Sequence, residues 1–263
     1  MLLTELSLVR AAHIVLACSS TQRAGVLNEQ LSTRVRCVAP SPVASLSGHA
    51  HVVEVAKQNA LEVFERAVAP FQARHGRQPS LVVGVDTVVS VGDKTFGKPT
   101  SMGQAREMLN ELAAAGTHKV TTGVALVYGD PAGAGLAPAH VQTFVEETTV
   151  ELDAHAMGAA EIESYLTSGE PMDSPGAYRV RGLGAAFVRS VVGEPLNAEH
   201  GFPIHRFLAE IDPARLKAWI DAVPDEEEES TALGAAVDDE EELGDPMPPG
   251  IVCEDDECGL PSD

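Results

Sequence analysis

The chain has 263 residues, 44 % of them apolar and only 4 % aromatic, so one large domain or two small ones can form around a core of Val, Leu, Ala and Ile. Its net charge is -21, but sixteen of its 39 acids and none of its 18 Lys and Arg residues fall between 224 and 263; the remainder is close to balanced and offers no basic face for nucleic acid. Four cysteines are too few for a disulfide scaffold at this length, and no apolar run reaches membrane-spanning length, so the expected location is the cytoplasm.

Residues 1–12 read as an N-terminal leader, in which Glu5 and Arg10, with His13 beyond, break any signal-peptide core. His13 to Ala17 reads as a short buried strand. Cys18 to Gln22 is a polar turn, and a helix follows from Arg23 to Leu31 with Ser20 or Thr21 as its cap. Arg34 to Val38 is a second strand. Val52 to Val68 has helical spacing, which Pro70 and the polar run after it should end.

Leu81 to Val85 is apolar throughout, the mark of a strand buried on both faces. Gly92-Asp93 suits a hairpin turn into a short strand. Ser101 to Ala114 is a helix closed by Gly116. Lys119–Val127 and Thr143–Leu152 are strands, Glu161–Ser168 a short helix, Ala186–Val192 a strand, and Pro203–Ile220 partly helical. Strands alternating with helices define an α/β class. From 224 to 263 the dense acid and low hydrophobicity predict a disordered tail, with Cys253 and Cys258 as free thiols.

Chemistry can sit where strands end. The Ser19-Ser20 turn leads a strand into a helix, so its free N–H groups favour an anion, and Arg23 adds a fork of donors. On its own this segment is equally an ordinary cap. Asp86 closes an otherwise apolar run, and an acid there binds a divalent metal or accepts a proton from water. Lys98 follows the next short strand. Lys57 lies in an apolar helical pattern, where a lysine is commonly solvated. Gly169 to Tyr178 is rich in turn formers, and Arg179 and Arg181 beside it could close over a ligand or belong to a rigid connector.

Taken in order, these blocks resemble the Maf family of nucleoside triphosphate pyrophosphatases. Cys18-Ser19-Ser20-Thr21-Gln22-Arg23 is similar to the family's Ser-x-Ser-Pro-Arg-Arg turn, Asp86 to Val89 to its Asp-Thr-Val-Val strand end, and Gly97-Lys98-Pro99 to its Gly-Lys-Pro. His118 to Gly123 matches His-x-Val-x-Thr-Gly. Gly169-Glu170-Pro171 and Asp173 to Tyr178 match Gly-Glu-Pro and Asp-x-Ala-Gly-Ala-Tyr. The order holds across residues 13 to 208.

The resemblance implies a curved mixed sheet flanked by helices, in two lobes around a deep cleft as in the Maf and inosine triphosphate pyrophosphatase folds. It implies a catalytic domain over 13–223, often homodimeric, and an acidic tail outside the family pattern. The implied reaction cuts a nucleoside triphosphate between its α and β phosphates, with Mg²⁺ or Mn²⁺, and clears non-standard or excess nucleotides. Asp86 would be the general base and a metal ligand; Ser20, Arg23, Lys57 and Lys98 would bind the triphosphate. Gln22, Thr87 and Arg181 fall where the family selects its base.

The sequence departs from the family at several points. Gln22 replaces an arginine, Thr21 a proline and Arg181 a glutamine. Arg181 has donors that suit the O6/N7 edge of guanine or a phosphate. The acid expected before Lys57 is absent, with Val38 and Ala39 in its place, which leaves Glu54 as a substitute. These losses fit a second reading, a nucleotide-binding regulator with impaired catalysis. A third is an interaction module whose acidic tail recruits basic partners.

Overall fold

The uninterrupted apolar run at Leu81 becomes the middle of a seven-stranded sheet. In chain order the strands are β1 (Ile14–Ala17), β2 (Arg36–Val38), β3 (Leu81–Val91), β4 (Lys94–Phe96), β5 (Thr117–Tyr128), β6 (His140–Leu152) and β7 (Val188–Val192). They lie in the order β2-β1-β3-β5-β6-β7, with β4 paired to the far end of β3. β1 runs parallel to β2 and β3 and the remaining pairs are antiparallel, so the sheet is mixed. This computed structural model describes residues 2–32, 35–41, 51–75, 77–132 and 137–222. The acidic tail, with Cys253 and Cys258, lies outside the described residues.

The helices are α1 (Leu2–Ala11), α2 (Thr21–Leu31), α3 (Val52–His75), α4 (Met102–Ala115), α5 (Ala159–Leu166), α6 (Pro195–His200), α7 (Ile204–Glu210) and α8 (Pro213–Asp221). Each cap follows its chemistry. Ser20 Oγ accepts from the Arg23 N–H at the start of α2, and Ser101 Oγ from the Gln104 N–H at the start of α4. Gly116 closes α4 at φ 68°, a conformation with little cost only for glycine. α4 buries Ala105, Met108, Leu109 and Leu112, one stripe at helical spacing. None of the described helices is long and apolar enough to cross a membrane.

Two segments differ from the sequence expectation. The 1–12 leader holds a helix whose Val9 is fully buried, and α1 packs against α7 and α8. α3 also runs on through Pro70 to His75. A proline inside a helix removes one backbone hydrogen bond, but beyond it Phe71 stacks edge-on against His13, 5.4 Å between ring centroids. That tertiary contact favours continuation where local propensity favours a stop.

Glycines bring α3 onto the sheet. A Cβ at Gly84 would stand 2.0 Å from the Ala56 carbonyl oxygen, and one at Gly123 would stand 2.5 Å from the Val52 carbonyl group. Only bare backbone lets the helix lie so close to β3 and β5. α3 and one sheet face enclose a core of Val63, Phe64, Val68, Val82 and Val127; α1, α2, α7 and α8 cover the other face over Leu16, Leu27, Phe202 and Phe207. A separate core gathers Leu109, Leu112, Ile162, Tyr165 and Phe187 around α4 and α5. The molecule therefore has two packed halves, and the site lies between them.

Candidate active site

β1 ends at Ala17, opposite Gly84, while β3 continues to Val91. β4 takes up pairing on β3 only from Val89. Between these partners β3 exposes an edge at residues 85–88. A cleft of about 520 Å³ opens there, lined by Ser19, Ser20 and Arg23 from one half and by Lys98, Tyr178 and Arg179 from the other.

Asp86 sits in this gap, half-buried and paired across β5 with Gly123. Burial raises its pKa above the ordinary aspartate value, because desolvation disfavours the carboxylate; the nearby Arg23 guanidinium and the Thr87 N–H pull the other way without cancelling it. A carboxylate poised in this manner is suited to accept a proton.

Arg23 is fixed from two distant parts of the chain. Its Nη2 donates to Thr87 Oγ1 at 2.7 Å, and its Nε donates to the His200 carbonyl at 3.1 Å. The Thr87 hydroxyl also contacts that of Thr122 at 3.0 Å. Gly201, at φ 63°, makes room for this arrangement: a Cβ there would stand 2.6 Å from the Arg23 guanidinium. The guanidinium is thus positioned before any ligand arrives, which lowers the ordering cost of binding.

Of the residues expected at the site, Ser20, Arg23, Asp86, Thr87 and Lys98 all line the cleft. Lys57 and Arg181 are not among its lining residues. α3 presents Val55 and Asn59, four residues apart and on one face; Lys57, two positions from either, is turned away. Arg181 reaches Glu199, itself a lining residue, at 3.6 Å, with its side chain 70 % exposed. Glu54 is exposed and does not line the cleft. The Gln22 side chain lies outside the described residues.

Arg179, left open by the sequence, does face the cleft. Its Nε donates to Ser174 Oγ at 3.3 Å and its guanidinium lies 3.8 Å from the Asp173 carboxylate. His200 is the other addition, and burial lowers its pKa, keeping the imidazole neutral. No local signal marks His200, since its contact with Arg23 spans 177 residues. The turn carrying Arg179 is anchored by Glu170, whose carboxylate accepts from Tyr165 Oη and from the N–H groups of Leu183 and Gly184.

Tyr178 Oη and His118 Nε2 are 2.7 Å apart, which ties that turn to β5. Burial holds the His118 pKa down to about 4. The unfolded chain therefore takes up this proton first, and stability should fall by about 3 kcal/mol as pH drops from 6.5 to 4. Thermal melts across that window should show the loss, and a His118→Gln variant should lack this part of the slope.

Among the described residues no cluster of three or more His, Cys, Asp and Glu side chains could hold a metal by itself. The carboxylates lining the cleft are Asp86, Asp173 and Glu199. Mg²⁺ commonly takes one or two carboxylates and fills its remaining positions with water and substrate phosphate oxygens. The donor set fits a cation that enters with a triphosphate.

The family model described as Maf-like protein matches residues 13–214. The chain belongs to the Maf family. A dTTP/UTP pyrophosphatase of Agathobacter rectalis is 32 % identical over 206 residues, covering 76 % of this chain and 96 % of that protein. Another, from a Polaromonas species, is 33 % identical over 205 residues, 74 % of this chain and 93 % of its own length. A probable bifunctional dTTP/UTP pyrophosphatase/methyltransferase of Homo sapiens is 36 % identical over 163 residues, of whose length this Maf chain spans only 25 %. Among solved structures, a HAM1 protein from Coxiella burnetii overlaps 54 % of this chain and 73 % of its own at 14 % identity, with a TM-score of 0.33.

Proposed function

We propose that this Maf protein takes a pyrimidine nucleoside triphosphate, dTTP or UTP, with Mg²⁺ or Mn²⁺. The chain is a nucleoside triphosphate pyrophosphatase, which hydrolyses its substrate to the nucleoside monophosphate and pyrophosphate. The observation that carries this reading is Asp86 in the open edge of β3, beside a fixed Arg23 and inside a cleft large enough for a nucleotide. The base preference rests on the names of relatives that this chain matches over nearly their whole length.

Phosphoryl chemistry asks a protein mainly for positioning and charge. Arg23 supplies fixed positive charge and Lys98 a second cation on the cleft wall, the Ser20 turn supplies N–H donors at the start of α2, and Arg179 can exchange its exposed Asp173 partner for a phosphate. Asp86 takes the proton of the attacking water as that water approaches the α phosphorus. A bound divalent cation would neutralise phosphate charge, with Asp86 the residue to hold it.

The test is a pyrophosphate-release screen of the full chain over common and modified nucleoside triphosphates, with Mg²⁺ or Mn²⁺ and with a chelator. Turnover should be fastest on dTTP and UTP and should stop when the cation is removed. A purine preference would overturn the pyrimidine assignment. No turnover on any nucleotide would leave the reading of a binding regulator.

A further inference from the structure

Cys18 and Cys37 stand side by side under the phosphate-binding turn. Cys18 follows directly on β1 and lines the cleft; Cys37 is central in β2, registered opposite Leu16. Leu16 and Cys18 belong to one buried core, and Cys37 packs against it. Both sulfurs point at one atom, the Ser20 carbonyl oxygen, at 3.5 Å from Cys18 Sγ and 3.8 Å from Cys37 Sγ. Neither cysteine is in a disulfide. Nothing in the pyrophosphatase mechanism uses either.

We propose that Cys18 and Cys37 form a reversible disulfide under peroxide, and that this modification weakens triphosphate binding. The cleft gives peroxide a path to Cys18. The neighbouring Cys37 thiol and the Arg23 guanidinium favour the Cys18 thiolate and bring its pKa down to about 7 despite burial, so a large fraction is nucleophilic at neutral pH.

The thiolate sulfur attacks one peroxide oxygen and the O–O bond breaks. Cys18 becomes a sulfenic acid, and the departing hydroxide takes up a proton as water. Cys37 then attacks the Cys18 sulfur, the S–O bond breaks, and the Cys37 proton leaves with the second hydroxide as water. Two thiols and one peroxide give one disulfide and two waters, and a dithiol reductant reverses the change. The bond ties the start of the Ser19-Ser20 turn to β2. That turn can no longer settle around phosphate oxygens. The effect on activity rests on the pyrophosphatase reading; the cross-link does not.

The test uses the full chain with Cys253→Ser and Cys258→Ser, so that only the two internal thiols remain. After hydrogen peroxide, non-reducing mass spectrometry should find the tryptic peptides 11–23 and 37–57 joined. KM for dTTP should rise about tenfold, the size of one lost hydrogen bond to a charged group, and dithiothreitol should restore it. Adding Cys37→Ser should leave KM before oxidation unchanged and abolish the joined peptide. Sulfinic acid at Cys18 without a cross-link would overturn the proposal, as would two unmodified thiols or a cross-link that leaves KM unchanged. Because the mass-spectrometric arm needs no substrate, it decides the cross-link even if no nucleotide is turned over.

Discussion

Asp86→Asn should lower kcat by about 10²- to 10⁴-fold, the range for loss of a general base, while making the free protein more stable at neutral pH. The two effects have one cause. Burial raises the Asp86 pKa in the folded state, so the folded chain holds that proton more tightly than the unfolded chain. As pH rises from the unfolded value through the folded one, stability is lost, and at neutral pH the charged carboxylate carries the full desolvation cost. Asparagine keeps the shape and removes the charge. Steady-state kinetics and thermal melts at pH 7 should therefore move in opposite directions. A variant within tenfold of wild-type turnover would remove Asp86 from the role of base. A lowered melting temperature would instead mark it as a structural carboxylate.

Arg23→Gln should lower kcat/KM for the preferred triphosphate by about 10²- to 10³-fold, comparable to deleting one donor that stabilises transition-state charge. Two of its contacts are internal, to Thr87 and to the His200 carbonyl, and they aim the remaining donors into the cleft. Lysine should rescue only part of the loss, because it brings the charge without the fork. Arg23 also lowers the Asp86 pKa, so its removal should move the acidic limb of the kcat/KM profile to higher pH. A near-wild-type Arg23→Gln enzyme with an unmoved pH profile would separate Arg23 from both the phosphate and the base.

Sequence patterns specify the middle of this molecule well because burial there is one-dimensional. Leu81–Val85 is apolar at every position and becomes the central strand, and Asp86 stands out as the first carboxylate after it. Ser20, Ser101 and Gly116 announce helix ends through local hydrogen bonds and a positive φ. Other features depend on contacts between distant segments. α3 passes Pro70 because Phe71 finds His13, and α1 forms because its apolar residues meet α7 and α8. Arg179 and Arg181 are two residues apart on a segment of turns, and their directions follow from Glu170 binding the N–H groups of Leu183 and Gly184. No spacing rule chooses between the two arginines. Lys57 shows the converse: it fits the family pattern, but the pitch of α3 gives Val55 and Asn59 to the cleft instead.

In the proposed reaction this cleft directs water to the α phosphorus of a nucleoside triphosphate. Phosphorus NMR of the full chain turning over dTTP with Mg²⁺ tests it most directly. Signals of dTMP and pyrophosphate should grow in parallel, with no dTDP at any time. Accumulating dTDP and orthophosphate would place the cut between the β and γ phosphates and contradict it.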